Sequence, residues 1–288
     1  MGHGIAYIFA RAGHRVRVYD PSLDALKSLP DRLLAIANLL GEDREASAGV
    51  EALSDMKAAL AEASFVFEAA SENIELKQDL FAQFETLTEP ACVLASNTSA
   101  IPLKDIGARM ADRSRLVGAH FWNPPHLVPL VEVSQLGPEN LAAVEKVIKL
   151  LAEAGRHPVH VKRDIPGLIG NRLQHALKRE AIALVADGIC EAEVIDDVVK
   201  LGFGKRMSVL GPLEQSDLVG VGLTEAIHQV LLPDLDRTPH VQDYVVELVR
   251  RGKLGMDAGE GFRKWSPEEA ARVRRRLSEF LASEAKTT

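Results

Sequence analysis

The residues best placed to do chemistry lie between Val117 and Val133. Two short β-type runs, Leu116 to Phe121 and Leu130 to Val133, flank a Pro-rich loop that holds Pro124, Pro125, His126 and Pro129. One run carries His120 at its end, beside Phe121, and the other carries Glu132. A carboxylate that accepts from one ring nitrogen of a histidine fixes its tautomer and leaves the other nitrogen as a base near neutral pH. On spacing alone, a core histidine beside a surface glutamate is the stronger reading. The residues around the pair reverse it.

Other candidates are weaker. Asp20 ends an alternating run, His14 to Tyr19, and stands 18 residues after Gly2. In a dinucleotide fold an acid there bonds ribose hydroxyls and repels a 2′-phosphate, and Pro21 follows it where an NADP site would favour Arg, so NAD is expected over NADP. His157 and His160 resemble a metal pair, but they fall on a strand, where i and i+3 face opposite ways, so no metal is expected. His126 reads as a substrate-pocket residue or a loop packing group.

The elements that must position these groups come in two kinds. Helical spacing marks Gly4–Ala12, a segment from Ser22 that Pro30 breaks before Asp31–Leu40, Asp55–Ala63, Ile74–Leu87 and Glu139–Ala154. Strands are expected at 14–19, Phe65–Glu68, Cys92–Ser96, 116–121, 130–133 and Pro158–Val161, with a polar, acidic loop after Gly41. Strands alternating with helices predict an α/β, Rossmann-type, doubly wound, mostly parallel sheet. Beyond Asp164-Ile165-Pro166-Gly167 only helices follow. The expected domains are therefore 1–163, dinucleotide-binding, and 164–288, helical. The 288 residues carry a net charge of −7, which argues against a nucleic-acid partner, and no run approaches a membrane span. Cys92 and Cys190 read as free thiols in a reducing cytoplasm.

Four segments occur in a fixed order: Ala95-Ser96-Asn97-Thr98-Ser99, His120-Phe121-Trp122-Asn123-Pro124, Leu130-Val131-Glu132-Val133 and Ile165-Pro166-Gly167-Leu168-Ile169-Gly170-Asn171-Arg172. Together they resemble the L-3-hydroxyacyl-CoA dehydrogenase family, which includes L-gulonate, carnitine and pyridine-alcohol dehydrogenases and lambda-crystallin. The resemblance covers essentially the whole chain. It implies an NAD-dependent oxidation of a secondary alcohol, with His120 as base and Glu132 as its orienter. It further implies that Ser99 and Asn171 bind the reacting oxygen, that Asn123 and Asn97 lie on the cofactor side, and that Glu72 and Lys77 lie by the nicotinamide-side ribose. Asn171 would come from the helical half, placing the site between domains. Gly2 and Gly4 match the tail of the family's glycine-rich phosphate turn. The helical half would form a homodimer.

The substrate is the open question. The acyl-CoA branch has a basic segment after the second strand. Here 33–47 is apolar, then acidic, with only Arg32 and Arg44 near any CoA phosphate. Trp122, Pro125, Val128 and Pro129 also depart from that branch, and 202–212 is similar to the pyridine-alcohol branch. The readings are a 3-hydroxyacyl-CoA dehydrogenase of fatty acid metabolism, a dehydrogenase of a small CoA-free hydroxy acid or aromatic alcohol, and a crystallin-like relative without turnover. The intact set of Ser99, His120, Glu132 and Asn171 argues against the last. The chain opens at what the resemblance makes the third glycine of the phosphate turn. The expectation is a natural protein with about 10 to 15 further residues, enough for a strand and a turn. Without them, a gap or a borrowed segment is expected between the strands ending at Asp20 and Glu68, with weak NAD binding.

Overall fold

The protein is described by a computed structural model covering residues 1–43, 45 and 48–285. Arg44 lies outside the described residues. Two compact units emerge: Met1–Arg172 with Leu277 onward, and Leu173–Arg276.

The first unit alternates helices and strands. Helix α1 (Gly2–Arg11) buries Ile5, Ile8 and Phe9, then β1 (Val16–Tyr19) follows. Helix α2 (Leu23–Leu40) starts on a Ser22 side-chain cap and ends on Gly41 in the left-handed region. The expected break at Pro30 does not occur. The helix runs through it because the face of Leu26, Leu29, Leu33, Ile36 and Ala37 is buried, and that packing outweighs one lost amide bond. A second departure is β2 (Val50–Leu53), in a stretch expected to be loop. It pairs in parallel with β1, Val16 opposite Val50.

The main sheet has five strands: β3 (Phe65–Glu68), β4 (Val93–Ser96), β5 (Leu116–Phe121), β6 (Leu130–Ser134) and β7 (His157–Val161), paired in that order. All neighbours are parallel except β5 and β6, which form a hairpin. Helices α3 (Met56–Leu60), α4 (Ile74–Leu87), α5 (Leu103–Ile106) and α6 (Leu141–Glu153) complete the unit. Among the described residues no ladder joins β1 to β3, so the strands that end before Asp20 and at Glu68 belong to two separate sheets, in keeping with the expected gap. The largest core cluster lies on one face of the five strands. There Val117, Ala119, Val131 and Val133 meet Ile5, Ile8 and Phe9 of α1 and Val144, Val147 and Leu151 of α6. The opposite face, with Leu94 and Leu116, packs Phe81 and Phe84 of α4.

The β5–β6 register is fixed by shape as well as polarity. Gly118 stands opposite Ser134, and a Cβ on Gly118 would lie 2.0 Å from the Ser134 hydroxyl oxygen. A one-residue slip would also turn the buried face of both strands outward.

The second unit contains most of α7 (Gly170–Ala186), then α8 (Ala192–Leu201), α9 (Pro212–Val219), α10 (Val221–Leu231), α11 (Asp243–Arg250) and the start of α12 (Pro267–Ala285). None of the residues of α8 to α11 is buried, although their apolar side chains are many. No described helix is long and apolar enough to cross a membrane.

Candidate active site

The hairpin register places His120 directly across from Glu132. Directly opposed side chains in an antiparallel pair are close enough to touch, and here His120 Nδ1 lies 3.0 Å from Glu132 Oε2. Both groups are buried, Glu132 at 1% exposure. The other carboxylate oxygen, Oε1, accepts from the backbone amides of Ile169 and Gly170, at 2.9 and 3.0 Å. These amides open α7, where a carboxylate also meets the positive end of the helix dipole. Burial by itself would raise the Glu132 carboxyl. The hydrogen bonds from His120, Gly170 and Ile169 outweigh it and hold the group below the ordinary carboxylate range.

That arrangement decides the tautomer. An ionised Glu132 can only accept, and its Oε1 is already occupied by two amides. Nδ1 of His120 therefore carries the proton and donates it to Oε2. Nε2 keeps its lone pair and is the free proton acceptor. The Trp122 ring, 5.8 Å from the His120 ring, packs against Gly170, where a Cβ would lie 2.2 Å from its Cζ2 atom. Gly170 is thus required for α7 to start this close to the hairpin.

The remaining residues fall on the same edge of the sheet. Ser99 follows β4 and is exposed, and its hydroxyl has no protein partner among the described residues. Its carbonyl accepts from Asn171 Nδ2 at 3.0 Å. Asn171 sits on the first turn of α7, inside the first compact unit. The structure therefore brings Ser99 and Asn171 together, and through α7 it joins them to Glu132 and His120. Asn97 spends its side-chain oxygen on the Phe121 amide at 2.8 Å, tying the end of β4 to the end of β5. Asn123 is exposed, and the Asn123–Pro124 peptide is cis.

Of the expected cofactor residues, Lys77 belongs to a buried network, and the exposed Glu72 borders it. Lys77 is 1% exposed and bonds both oxygens of Glu68, at 2.7 and 2.9 Å. Glu68 also accepts from the Ser96 hydroxyl and the Ala70 amide. The sequence marks Glu68 as the start of a strand-end signal, Glu68 to Glu72, but assigns no role to it or to Ser96.

The first turn of α1 holds Gly2 and Gly4, the glycines expected on the cofactor side. Nothing lies within 4 Å of a Cβ built on Gly2. Gly4 instead admits the neighbouring loop, since its Cβ would sit 2.6 Å from Pro125 Cγ. Asp20 uses one oxygen to accept from the Ser22 amide and leaves the other available to ribose hydroxyls. His126, beside Gly4, has a buried Nδ1 with no hydrogen-bond partner among the described residues. Burial, then the nearby charges of His3 and Arg156, lower its pKa to about 4. Among the described residues no group of three His, Cys, Asp or Glu is arranged to hold a metal.

Comparison with known proteins bears on both units. Residues 1–165 match the family described as 3-hydroxyacyl-CoA dehydrogenase, NAD binding domain, and residues 167–265 match its C-terminal domain. The chain is 33% identical over 277 residues to 5-formyl-3-hydroxy-2-methylpyridine 4-carboxylate 5-dehydrogenase of Mesorhizobium japonicum, covering 93% of this chain and 89% of the relative. The crystal structure of a 5-formyl-3-hydroxy-2-methylpyridine 4-carboxylic acid 5-dehydrogenase, an NAD+ dependent dismutase, superposes with a TM-score of 0.90 at 30% identity, over 98% of this chain and 93% of that one. For (S)-3-hydroxybutyryl-CoA dehydrogenase of Ralstonia eutropha the TM-score is 0.76 at 27% identity, over 92% of this chain and 95% of that one.

Proposed function

The chain belongs to the 3-hydroxyacyl-CoA dehydrogenase family, and from that premise we propose that it acts on a small, CoA-free aromatic or aliphatic acid bearing the reactive alcohol or its carbonyl partner. It is an NAD-dependent oxidoreductase of CH–OH groups. The observation that carries the substrate reading is the likeness over 98% of the chain to the pyridine carboxylate enzyme, at a TM-score of 0.90 against 0.76 for the acyl-CoA enzyme. The surface agrees with it. Where α2 ends, Glu42 accepts from the Tyr7 hydroxyl at 2.6 Å and pairs with Arg11 at 2.9 Å. Of the two arginines that the sequence offers a CoA phosphate there, Arg32 is described and Arg44 lies outside the described residues.

The residues divide the work as follows. His120 Nε2 takes the hydroxyl proton as the carbon gives up its hydride, and Glu132 stabilises the imidazolium that results. The Ser99 hydroxyl and the Asn171 amide hold the substrate oxygen while it changes from alcohol to carbonyl, a contribution that depends on donors fixed in advance. Asp20, Gly2, Asn97 and Asn123 would hold NAD, which supplies the hydride acceptor when bound. In the reverse direction His120 returns the proton.

The experiment is a screen of NADH formation and consumption over 3-hydroxyacyl-CoA thioesters, free 3-hydroxy acids and hydroxymethyl or formyl pyridine carboxylates. The proposal expects turnover only in the CoA-free sets. Turnover confined to thioesters restores the acyl-CoA reading. We also place the protein in the cytoplasm, as a homodimer joined through the helical unit. Support for the dimer comes from α8, where Val194, Val198 and Leu201 are 47, 58 and 68% exposed, and from α10, where Val230 is 79% exposed. Sedimentation analysis showing a monomer at high concentration would overturn it.

A further inference from the structure

Ser99 is held at both its backbone groups and left free at its side chain. Its carbonyl accepts from Asn171, and its amide donates to Glu72 Oε1 at 3.0 Å. The same carboxylate oxygen accepts from the Ala100 amide at 3.1 Å and the Thr98 hydroxyl at 2.5 Å. Three donors of one turn therefore converge on one oxygen of a side chain 27 residues away. The Ser99 amide has no other acceptor among the described residues. Within the turn itself, the Thr98 hydroxyl accepts from the Ile101 amide at 3.0 Å and, more weakly, from the Ala100 amide at 3.4 Å.

Glu72 is itself fixed from the other side. Its Oε2 lies 3.4 Å from Lys77 Nζ, and Lys77 is anchored in the core by Glu68. Lys77 thus bridges two carboxylates, one at the end of β3 and one in the loop before α4. Burial would raise the Glu72 carboxyl, but the Thr98, Ala100, Lys77 and Ser99 contacts hold it below its ordinary range. It stays an acceptor throughout the neutral range.

We infer that Glu72, backed by Lys77 and Glu68, is a positioning residue for Ser99: it locks the turn that presents the serine hydroxyl to the substrate oxygen. This rests on the reading of Ser99 given above. It differs from a ribose-binding role for Glu72 in what it predicts, because the clamp uses Oε1, which accepts from three donors of the protein's own turn.

The test compares the full chain with its Glu72→Ala and Glu72→Gln variants by three measurements. Amide hydrogen exchange over 98–101 needs neither substrate nor cofactor. In Glu72→Ala, exchange at Ser99 and Ala100 is expected to rise by about tenfold or more as the turn opens locally. Turnover at saturating NAD is expected to fall by about 10- to 100-fold, the effect of a misplaced donor. Calorimetric NAD affinity is expected to stay within about threefold. Glu72→Gln keeps a carbonyl oxygen for the two amides, so it should recover most of the turnover. Should Glu72→Ala not fold, Glu72→Asp replaces it with the same expectations, since its shorter chain withdraws the carboxylate from the turn. Unchanged exchange at Ser99 overturns the inference. So does a loss of NAD affinity of about tenfold or more in both variants with turnover at saturation intact, which would make Glu72 a cofactor ligand. A wild-type chain without turnover on any class defeats the functional reading alone, and the exchange arm still decides the clamp.

Discussion

His120 and Ser99 reach the same edge of the five-stranded sheet by different routes. His120 is placed by strand register: it lies within β5, opposite Glu132, in the paired part of the hairpin. Ser99 is placed by side chains reaching in from elsewhere, Glu72 from one loop and Asn171 from the start of α7. The first is buried and its partner is 1% exposed, whereas the second stands on an exposed turn. A proton-transfer pair needs a dry, fixed geometry so that the tautomer is set before substrate arrives. An oxygen donor must face the open site, so it is held by its backbone. The two regions meet at the first turn of α7, whose amides bind Glu132 and whose Asn171 binds Ser99.

The largest effect is expected on the hairpin side. His120→Ala should lower turnover by about 10²- to 10⁴-fold with the melting temperature nearly kept, since the site loses its base and the sheet keeps its ladder. Steady-state kinetics beside a thermal melt checks both halves. Turnover equal to the wild type would leave the pair without a proton-handling role.

Glu132→Gln probes the tautomer. The amide oxygen must face the Ile169 and Gly170 amides, because only it can accept from them. The NH₂ group then faces His120 Nδ1, which becomes an acceptor, and the ring proton moves to Nε2. Turnover should fall by about 10²-fold or more, as for the wrong tautomer in a serine protease triad. NMR of the ring nitrogens would report the proton on Nε2. A variant with the proton still on Nδ1 contradicts this.

Gly170→Ala strikes where the two regions join. Its Cβ would lie 2.2 Å from the Trp122 ring, so α7 or the ring must shift. The expected cost is about 1–3 kcal/mol of stability, from overpacking, with some loss of turnover. In a Trp122→Leu background the same change should cost less, and a double-mutant cycle by denaturant unfolding measures the difference. Additive costs would mean that the contact does not set the helix start.

The smallest effect is a pH dependence in the hairpin loop. His126 has a pKa of about 4 in the folded chain, against an ordinary 6.5. The unfolded chain thus binds this proton more readily, and stability falls as pH drops from about 6.5 towards 4. The slope should amount to roughly 1–3 kcal/mol over that window and should be absent in His126→Asn. Glu132 and Glu72 behave alike at lower pH. Their lowered values mean that stability is fully present above the ordinary carboxylate range and is lost as pH falls through the folded values. Unfolding curves at stepped pH separate the histidine from the carboxylates.

The sequence by itself determined the alternation of helices and strands and the two strands that carry His120 and Glu132, because hydrophobic period and turn chemistry are local properties of the chain. The resemblance of its four ordered segments pointed to the family. It also implied that Ser99 and Asn171 share a task, and the structure brings them within a hydrogen bond. Tertiary structure alone decided the rest. β2 escaped notice because Val50–Leu53 has two exposed residues at its centre and follows an acidic loop, so no apolar run announces it. Pro30 misled because local propensity ranked above the buried face that carries α2 across it. The register that sets His120 opposite Glu132 depends on Gly118 meeting Ser134 across the hairpin. The clamp on Ser99 depends on a glutamate 27 residues away, and the pattern along the chain does not encode which distant donors will turn towards one oxygen.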